Sequence, residues 1–185
     1  MSATLKHLHR LYAATDDPWQ FDTSPYEQCR FVATRDALEQ RRYAAALEIG
    51  CGNGALARHL ALFCARYVGM DAVGRAVDAA REKVPQGQFV VGTYPCALPQ
   101  GPFDLVILSE FLYFLTPDSI AQLCADVAQI APRAEILCIT YLGDTEQILQ
   151  GVDALDLFRF GMQRHLKLEP VVNTGRFRID RGRMA

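Results

Sequence analysis

Short apolar runs that stop at glycine or at an acid are separated along the chain by stretches whose apolar residues recur every three or four positions. The first run, Ala44 to Ile49, suits a strand buried on both faces of a parallel sheet. Tyr67 to Met70, Gln88 to Gly92, Phe103 to Ser109 and Ala134 to Tyr141 read as further strands. The helical period appears between them. It runs through Leu56, Leu60, Phe63 and Cys64, then through Val73, Ala76, Val77, Ala80 and Val84 up to Pro85 to Gly87. It returns in Ile120, Leu123, Cys124, Val127, Ile130 and Ala131 behind the Thr116-Pro117-Asp118 opening, and again in Leu155, Phe158 and Met162 after a loop at Gly143 and Asp144.

Before the first strand, Leu5, Leu8, Leu11 and Tyr12 predict an amphipathic helix over Thr4 to Ala14, broken at Asp16-Asp17-Pro18-Trp19. Ser24-Pro25-Tyr26-Glu27 forms a capping box with proline at the first helical position, opening a helix expected to run to about Tyr43. At the other end, His165 to Val172, Asn173-Thr174-Gly175 and Arg176 to Arg181 read as a terminal hairpin. There Phe177 and Ile179 alternate with Arg176, Arg178 and Asp180, the pattern of a half-buried strand with a charged outer face.

The candidate chemistry lies where the first strand stops. Gly50, Gly52 and Gly54 let the backbone turn sharply and leave no β-carbon between the main chain and a ligand resting on it. Asn53 is placed to cap the following helix. The unit is β-turn-α-β, and Asp71 closes its second strand 21 positions beyond Gly50, where an acid meets the ribose hydroxyls of a bound nucleoside. The register of the glycines fits the dinucleotide fingerprint only through alanine at its sixth place, Ala55.

Composition narrows the partner. With 185 residues, half of them hydrophobic and 22% charged, the chain is long enough for one globular domain over 1–185. A net charge of -2 and a pI near 6.1 argue against nucleic acid and for a small ligand. Cys29, Cys51, Cys64, Cys96, Cys124 and Cys138 form no C-x-x-C pair, so buried reduced thiols are expected, with neither a metal site nor disulfides. His7 and His9, two apart, would diverge on a helix. No run of 18 apolar residues occurs and Lys6, His7, His9 and Arg10 interrupt the N-terminus, so a cytoplasmic protein away from the membrane is expected.

Glu48, two positions before Gly50, completes E-x-G-x-G-x-G with Gly50, Gly52 and Gly54, and this stretch resembles the class I S-adenosylmethionine-dependent methyltransferases. Two further segments resemble the nodulation protein S family of N-methyltransferases: D-P-W then S-x-Y-E and a basic residue between Asp16 and Arg30, and S-E-x-L-Y-x-L from Ser109. The resemblance implies an α/β, Rossmann-like fold: a seven-stranded, mostly parallel sheet with helices on both faces, an antiparallel last strand, and residues 1–43 as a helical cap over the cofactor.

It also implies S-adenosyl-L-methionine as cofactor. Glu48 would orient the glycine loop and the methionine end, Asp71 would hold the ribose, and Ser109 would end the strand beneath the donor. Trp19, Tyr26 and Arg30 are candidates for closing the site, with Arg30 able to pair the cofactor carboxylate. Adenine often meets an acid after the third strand in such enzymes; here Thr93 stands there, leaving adenine to Ala72 and to the Tyr94 backbone. Glu110 would orient an acceptor amine and take its proton, and Tyr113 would offer a π face. The implied acceptor is a small molecule, foremost an amine such as the amino sugar of a chitin-type oligosaccharide. Another small N or O nucleophile, a non-catalytic cofactor-binding module and a nicotinamide oxidoreductase are the alternatives; the last lacks a Tyr-x-x-x-Lys pair.

Overall fold

The computed structural model describes residues 3–184. Two helices, Ala3–Ala14 (α1) and Pro25–Asp36 (α2), precede the strand Tyr43–Ile49 (β1). Then come Ala55–Leu60 (α3), Cys64–Asp71 (β2), Gly74–Lys83 (α4), Gln88–Val91 (β3) and Leu105–Ser109 (β4). Pro117–Ile130 (α5), Glu135–Tyr141 (β5), Gly151–Met162 (α6), Glu169–Asn173 (β6) and Phe177–Arg183 (β7) complete the order. The strands form one seven-stranded sheet in the order β3-β2-β1-β4-β5-β7-β6. The first five strands pair in parallel, while β7 runs antiparallel between β5 and β6. The α/β fold expected from the sequence is the one present.

Side-chain alternation along the central strands sends neighbours to opposite faces and so builds two cores. Leu47, Ile49, Val106, Leu108, Ile136 and Cys138 face α5 and α6, where Leu123, Val127, Leu155, Phe158 and Met162 are fully buried. Ala46, Leu105, Ile107, Leu137 and Ile139 face the other way, against α3, α4 and Phe31 of α2. Thr116 caps α5 as expected, its Oγ1 accepting the Ser119 amide at 3.2 Å.

Several boundaries differ from the sequence expectation, each for a local reason. The helix opened by Ser24 stops at Asp36 instead of about Tyr43, because Tyr43 already belongs to β1 and pins the connecting loop: its hydroxyl accepts the Gln40 amide (3.0 Å) and donates to Glu135 Oε2 (2.6 Å). The capping box is half formed; Ser24 Oγ accepts the Glu27 amide at 3.4 Å, but the Glu27 carboxylate is spent on Arg30. The helix α3 is only six residues long and passes through a 3-10 turn at Ala61–Phe63, so Cys64 opens β2 instead of finishing a helical stripe. β4 begins at Leu105 and β6 at Glu169, both later than expected. Asp180 is fully buried and takes both its oxygens to Arg178 (2.6 Å each), so β7 has no simple charged outer face. Among the described residues, no helix is long and apolar enough to cross a membrane.

The Tyr43–Glu135 bond sits at the N-terminal ends of the parallel strands, opposite the cleft described below. Tyr43→Phe leaves the fully buried Glu135 short of a donor and should cost about 1–3 kcal/mol in denaturant unfolding. An unchanged unfolding midpoint would show that the loop from Leu38 to Arg42 is not held by this bond.

Candidate functional site

A cleft of about 590 Å³ opens beyond the carboxyl ends of β1, β2, β4 and β5, within the size range of small-molecule sites. Its floor is the glycine turn. Gly50 (φ 83°), Gly52 (φ 50°) and Gly54 (φ 76°) all take left-handed backbone angles. A Cβ on Gly50 would stand 2.7 Å from the Ser109 carbonyl oxygen, and one on Gly54 would stand 2.9 Å from Ala80 Cα. These gaps force glycine. Gly54, not Asn53, is the N-cap of α3; Asn53 Oδ1 accepts the Ala55 amide at 3.3 Å while its Nδ2 donates to the Asp16 carbonyl (3.0 Å) and Asp17 Oδ1 (3.3 Å). The turn is thereby tied to the segment between α1 and α2.

Two acids stand under the turn. Asp71 Oδ2 accepts the Gly52 amide (2.9 Å) and Oδ1 the Val73 amide (3.0 Å), so this carboxylate shapes the loop and keeps one lone pair per oxygen for a ligand. Burial raises its pKa, with the Val73, Gly52 and Ala72 amides pulling back. Glu48 is 0% exposed. Its Oε2 accepts the Tyr67 hydroxyl at 2.8 Å, and its Oε1 is buried with no hydrogen bond. Burial pushes Glu48 up to about 7, against the hydroxyls of Tyr67 and Ser109 and the charge of Arg30, with Asp71 adding to the rise.

On the opposite wall Arg30, 3% exposed, is shared between two carboxylates. Its Nε donates to Glu27 Oε2 at 2.9 Å, and its Nη1 lies 3.4 Å from Glu110 Oε1. Glu110 holds a left-handed backbone (φ 48°), uncommon for a side-chain-bearing residue and a mark of functional sites. Its Oε1 is buried and accepts no hydrogen bond; burial raises its pKa, Arg30 opposes this and Glu27 reinforces it. Tyr113 stands beside it, its hydroxyl pKa raised by burial and by Glu110. Tyr26 reaches the same wall, pushed up to about 12 by burial and Glu110, with Arg176 over its ring at 4.1 Å.

The N-terminal segment supplies the roof. Tyr12, Trp19 and Phe21 form an aromatic chain with successive centroids 5.6 Å apart, and a Cβ on Gly52 would meet the Tyr12 hydroxyl at 3.2 Å. Trp19, Tyr26, Arg30, Glu48, Gly50, Gly52, Asp71, Ala72, Thr93, Tyr94, Ser109, Glu110 and Tyr113, all predicted from sequence, line this one cleft. Gly54 is the predicted residue that does not; it serves packing against α4. The Tyr94 hydroxyl turns away to Asp126 Oδ2 of α5 (2.6 Å), which fixes the loop carrying Thr93. Sequence reasoning missed Tyr12, Glu27, Phe111 and Arg176. Tyr12 was hidden in a helical stripe, Glu27 in a cap and Arg176 in an apparent outer face.

The sheet order and the cleft at its carboxyl edge define the class I methyltransferase fold. The N-methyltransferase NodS from Bradyrhizobium japonicum WM9, solved with S-adenosyl-l-homocysteine, superposes with a TM-score of 0.84 at 22% identity, over 99% of both chains. The model of the nodulation protein S (NodS) family matches residues 2–133, and the chain belongs to that family. Nodulation protein S of Sinorhizobium fredii is 36% identical over 58% of this chain and 51% of its own length, and that of Rhizobium tropici 35% over 55% and 44%. The chain thus spans about half the length of the curated relatives it matches.

Glu48, Asp71 and Glu110 all have raised pKa values. Such acids favour folding fully below their unfolded values, about 4, and lose that contribution as pH rises through the folded value, about 7 for Glu48. Glu48→Gln cannot ionise, so its melting temperature relative to the parent should rise between about pH 4 and 7 and level off above that. Parallel melting curves across that window would show that Glu48 does not titrate there.

Proposed function

We propose that the chain is a methyltransferase that moves the methyl group of S-adenosyl-L-methionine to a small nucleophile, foremost an amine such as an amino sugar. The observation that carries this reading is the pair of buried carboxylate oxygens without a hydrogen bond, Glu48 Oε1 and Glu110 Oε1, the latter ion-paired to Arg30 at 3.4 Å, facing one cleft over a side-chain-free turn. Desolvated acids gain most from cations. The cofactor brings an ammonium and a sulfonium, and an amine acceptor brings a further ammonium.

The residues present fit that cofactor. Glu48 Oε1 is free to accept from the methionine amine, the spare lone pairs of Asp71 from the ribose hydroxyls, and Ala72, Thr93 and the Tyr94 backbone border the space left for adenine. Trp19 and Tyr26 close the cleft, and Ser109 carries the floor. When bound, the cofactor supplies an electrophilic methyl on sulfur. The chain's own work is then positioning and one proton transfer. Glu110, held beside Arg30, takes a proton from the acceptor ammonium, while the Tyr113 ring covers the reacting centre with its π face. Arg30 already serves Glu27 and Glu110, so its part is to hold those acids rather than to supply a whole charge to the cofactor carboxylate.

S-adenosylhomocysteine at about 100 times its dissociation constant should stabilise the protein by about 2.7 kcal/mol in a thermal melt, and NADH should not. A shift with NADH alone would sink the reading. Glu110→Gln keeps the shape and loses the base. It should leave S-adenosylhomocysteine affinity within a few-fold while kcat on an amine falls by about 10² to 10⁴. A wild-type rate across pH would move the proton to solvent or another group.

A further inference from the structure

Arg176 is the arginine of the cleft that the methyl-transfer reading leaves without a task. The turn that carries it is rigid: Thr174 Oγ1 accepts the amides of Arg176 (3.3 Å) and Phe177 (3.1 Å), and the Arg176 carbonyl accepts the Leu142 amide (2.9 Å). The guanidinium carbon lies 4.1 Å from the Tyr26 ring centroid. Stacking occupies one face of the planar group and leaves its in-plane N–H fork available. No carboxylate of the described residues pairs with it, whereas Arg30, the other cleft arginine, is held by Glu27 and Glu110. Asp144 on the same rim accepts the Glu146 amide (2.9 Å) and forms no ion pair with Arg176.

Position separates Arg176 from the cofactor. The glycine turn follows β1, and the sheet order places β7 three strands away, about 14 Å at the usual strand spacing. Between them lie Tyr26 and Glu110, whose charges are close enough to influence one another. The far end of the cleft therefore presents a carboxylate for an ammonium, then a phenol ring, then an unpaired cation.

We infer that Arg176 is the anion-recognising group of the acceptor subsite, and that the preferred acceptor carries a carboxylate or phosphate on the same small molecule as its amine. This rests on the methyl-transfer reading for the amine end and adds the requirement for a second, oppositely charged end. The planar fork matches either anion in bidentate fashion.

The test is calorimetry on the protein loaded with S-adenosylhomocysteine. Ethanolamine is compared with O-phosphoethanolamine and β-alanine, and glucosamine with glucosamine 6-phosphate, so that phosphate and carboxylate are read separately. At least one anionic probe should bind about tenfold more tightly than its neutral counterpart. Arg176→Gln should erase that preference and leave S-adenosylhomocysteine affinity unchanged; Arg176→Lys should restore part of it. Equal binding of neutral and anionic probes, binding of none of them, or a preference that survives Arg176→Gln overturns the inference. Weakened S-adenosylhomocysteine binding in Arg176→Gln also overturns it, by assigning the guanidinium to the cofactor. Failure of the parent protein to bind S-adenosylhomocysteine would instead strike the methyl-donor reading, so the two failures are distinguishable.

Discussion

Where β1 ends, the chain must pass between the Ser109 carbonyl and the backbone of α4 through gaps that admit no side chain. Everything on the ligand side follows from that squeeze. The turn brings the Gly52 amide down onto Asp71, which fixes the height of the loop, and it lets Ser109 and Phe111 close in from the end of β4. A β-carbon at Gly50 or Gly54 would push β1 from β4 or α3 from α4, so the same atoms that make the cleft hold the centre of the sheet together. The N-terminal segment then rests on the turn through Asn53 and the Tyr12 hydroxyl.

Charge is the second organising constraint, and it is arranged unevenly. Glu27 and Glu48 are buried and Glu110 is partly buried around one Arg30, and Glu48 and Glu110 each have a buried oxygen without a hydrogen bond. A fold under selection for stability alone has little use for this arrangement, since each desolvated carboxylate either takes a proton or costs free energy. The raised pKa values of Glu48 and Glu110 are that cost expressed as protonation. The strained backbone of Glu110 has the same sense: the chain holds the side chain over the cleft at a local penalty.

The fold was readable in the sequence because its evidence is local and repetitive. Apolar runs broken by glycine located the central strands, and the proline-and-cap signals at Ser24 and Thr116 located two helix starts to the residue. Boundaries were read less well where tertiary contacts override propensity, as at Tyr43, whose hydroxyl is claimed by Glu135 from a distant strand. Of the cleft, the half proposed for the cofactor was legible as a cluster, since Glu48, the glycines and Asp71 lie in one continuous unit. The Arg30 cluster was legible as separate residues but not as a cluster, because Glu110 meets Arg30 only after β4 is laid beside β1. Arg176 was misread for a simpler reason: alternation assigns a face to a strand residue, and Arg176 belongs to the turn before β7 begins.

The unsatisfied carboxylates bear on how a positively charged donor is distinguished from its neutral product. In the proposed reaction the sulfonium charge leaves the donor with the methyl group and ends on the acceptor nitrogen, so the centre of positive charge moves from the glycine-turn side of the cleft toward Glu110. If Glu110 first passes the acceptor's proton on to solvent, a carboxylate near each end of that path would hold both states without reorganising water, which is the condition under which fixed charges favour the transfer. Once the charge has moved, Glu48 keeps only the ammonium of the neutral thioether product, while Glu110 faces a methylated ammonium that still has a proton to lose. Transfer of that proton to the Glu110 carboxylate would neutralise both groups and remove the attraction that holds the product amine. In that scheme the acid proposed to ready the acceptor would also be the group whose proton balance governs its release.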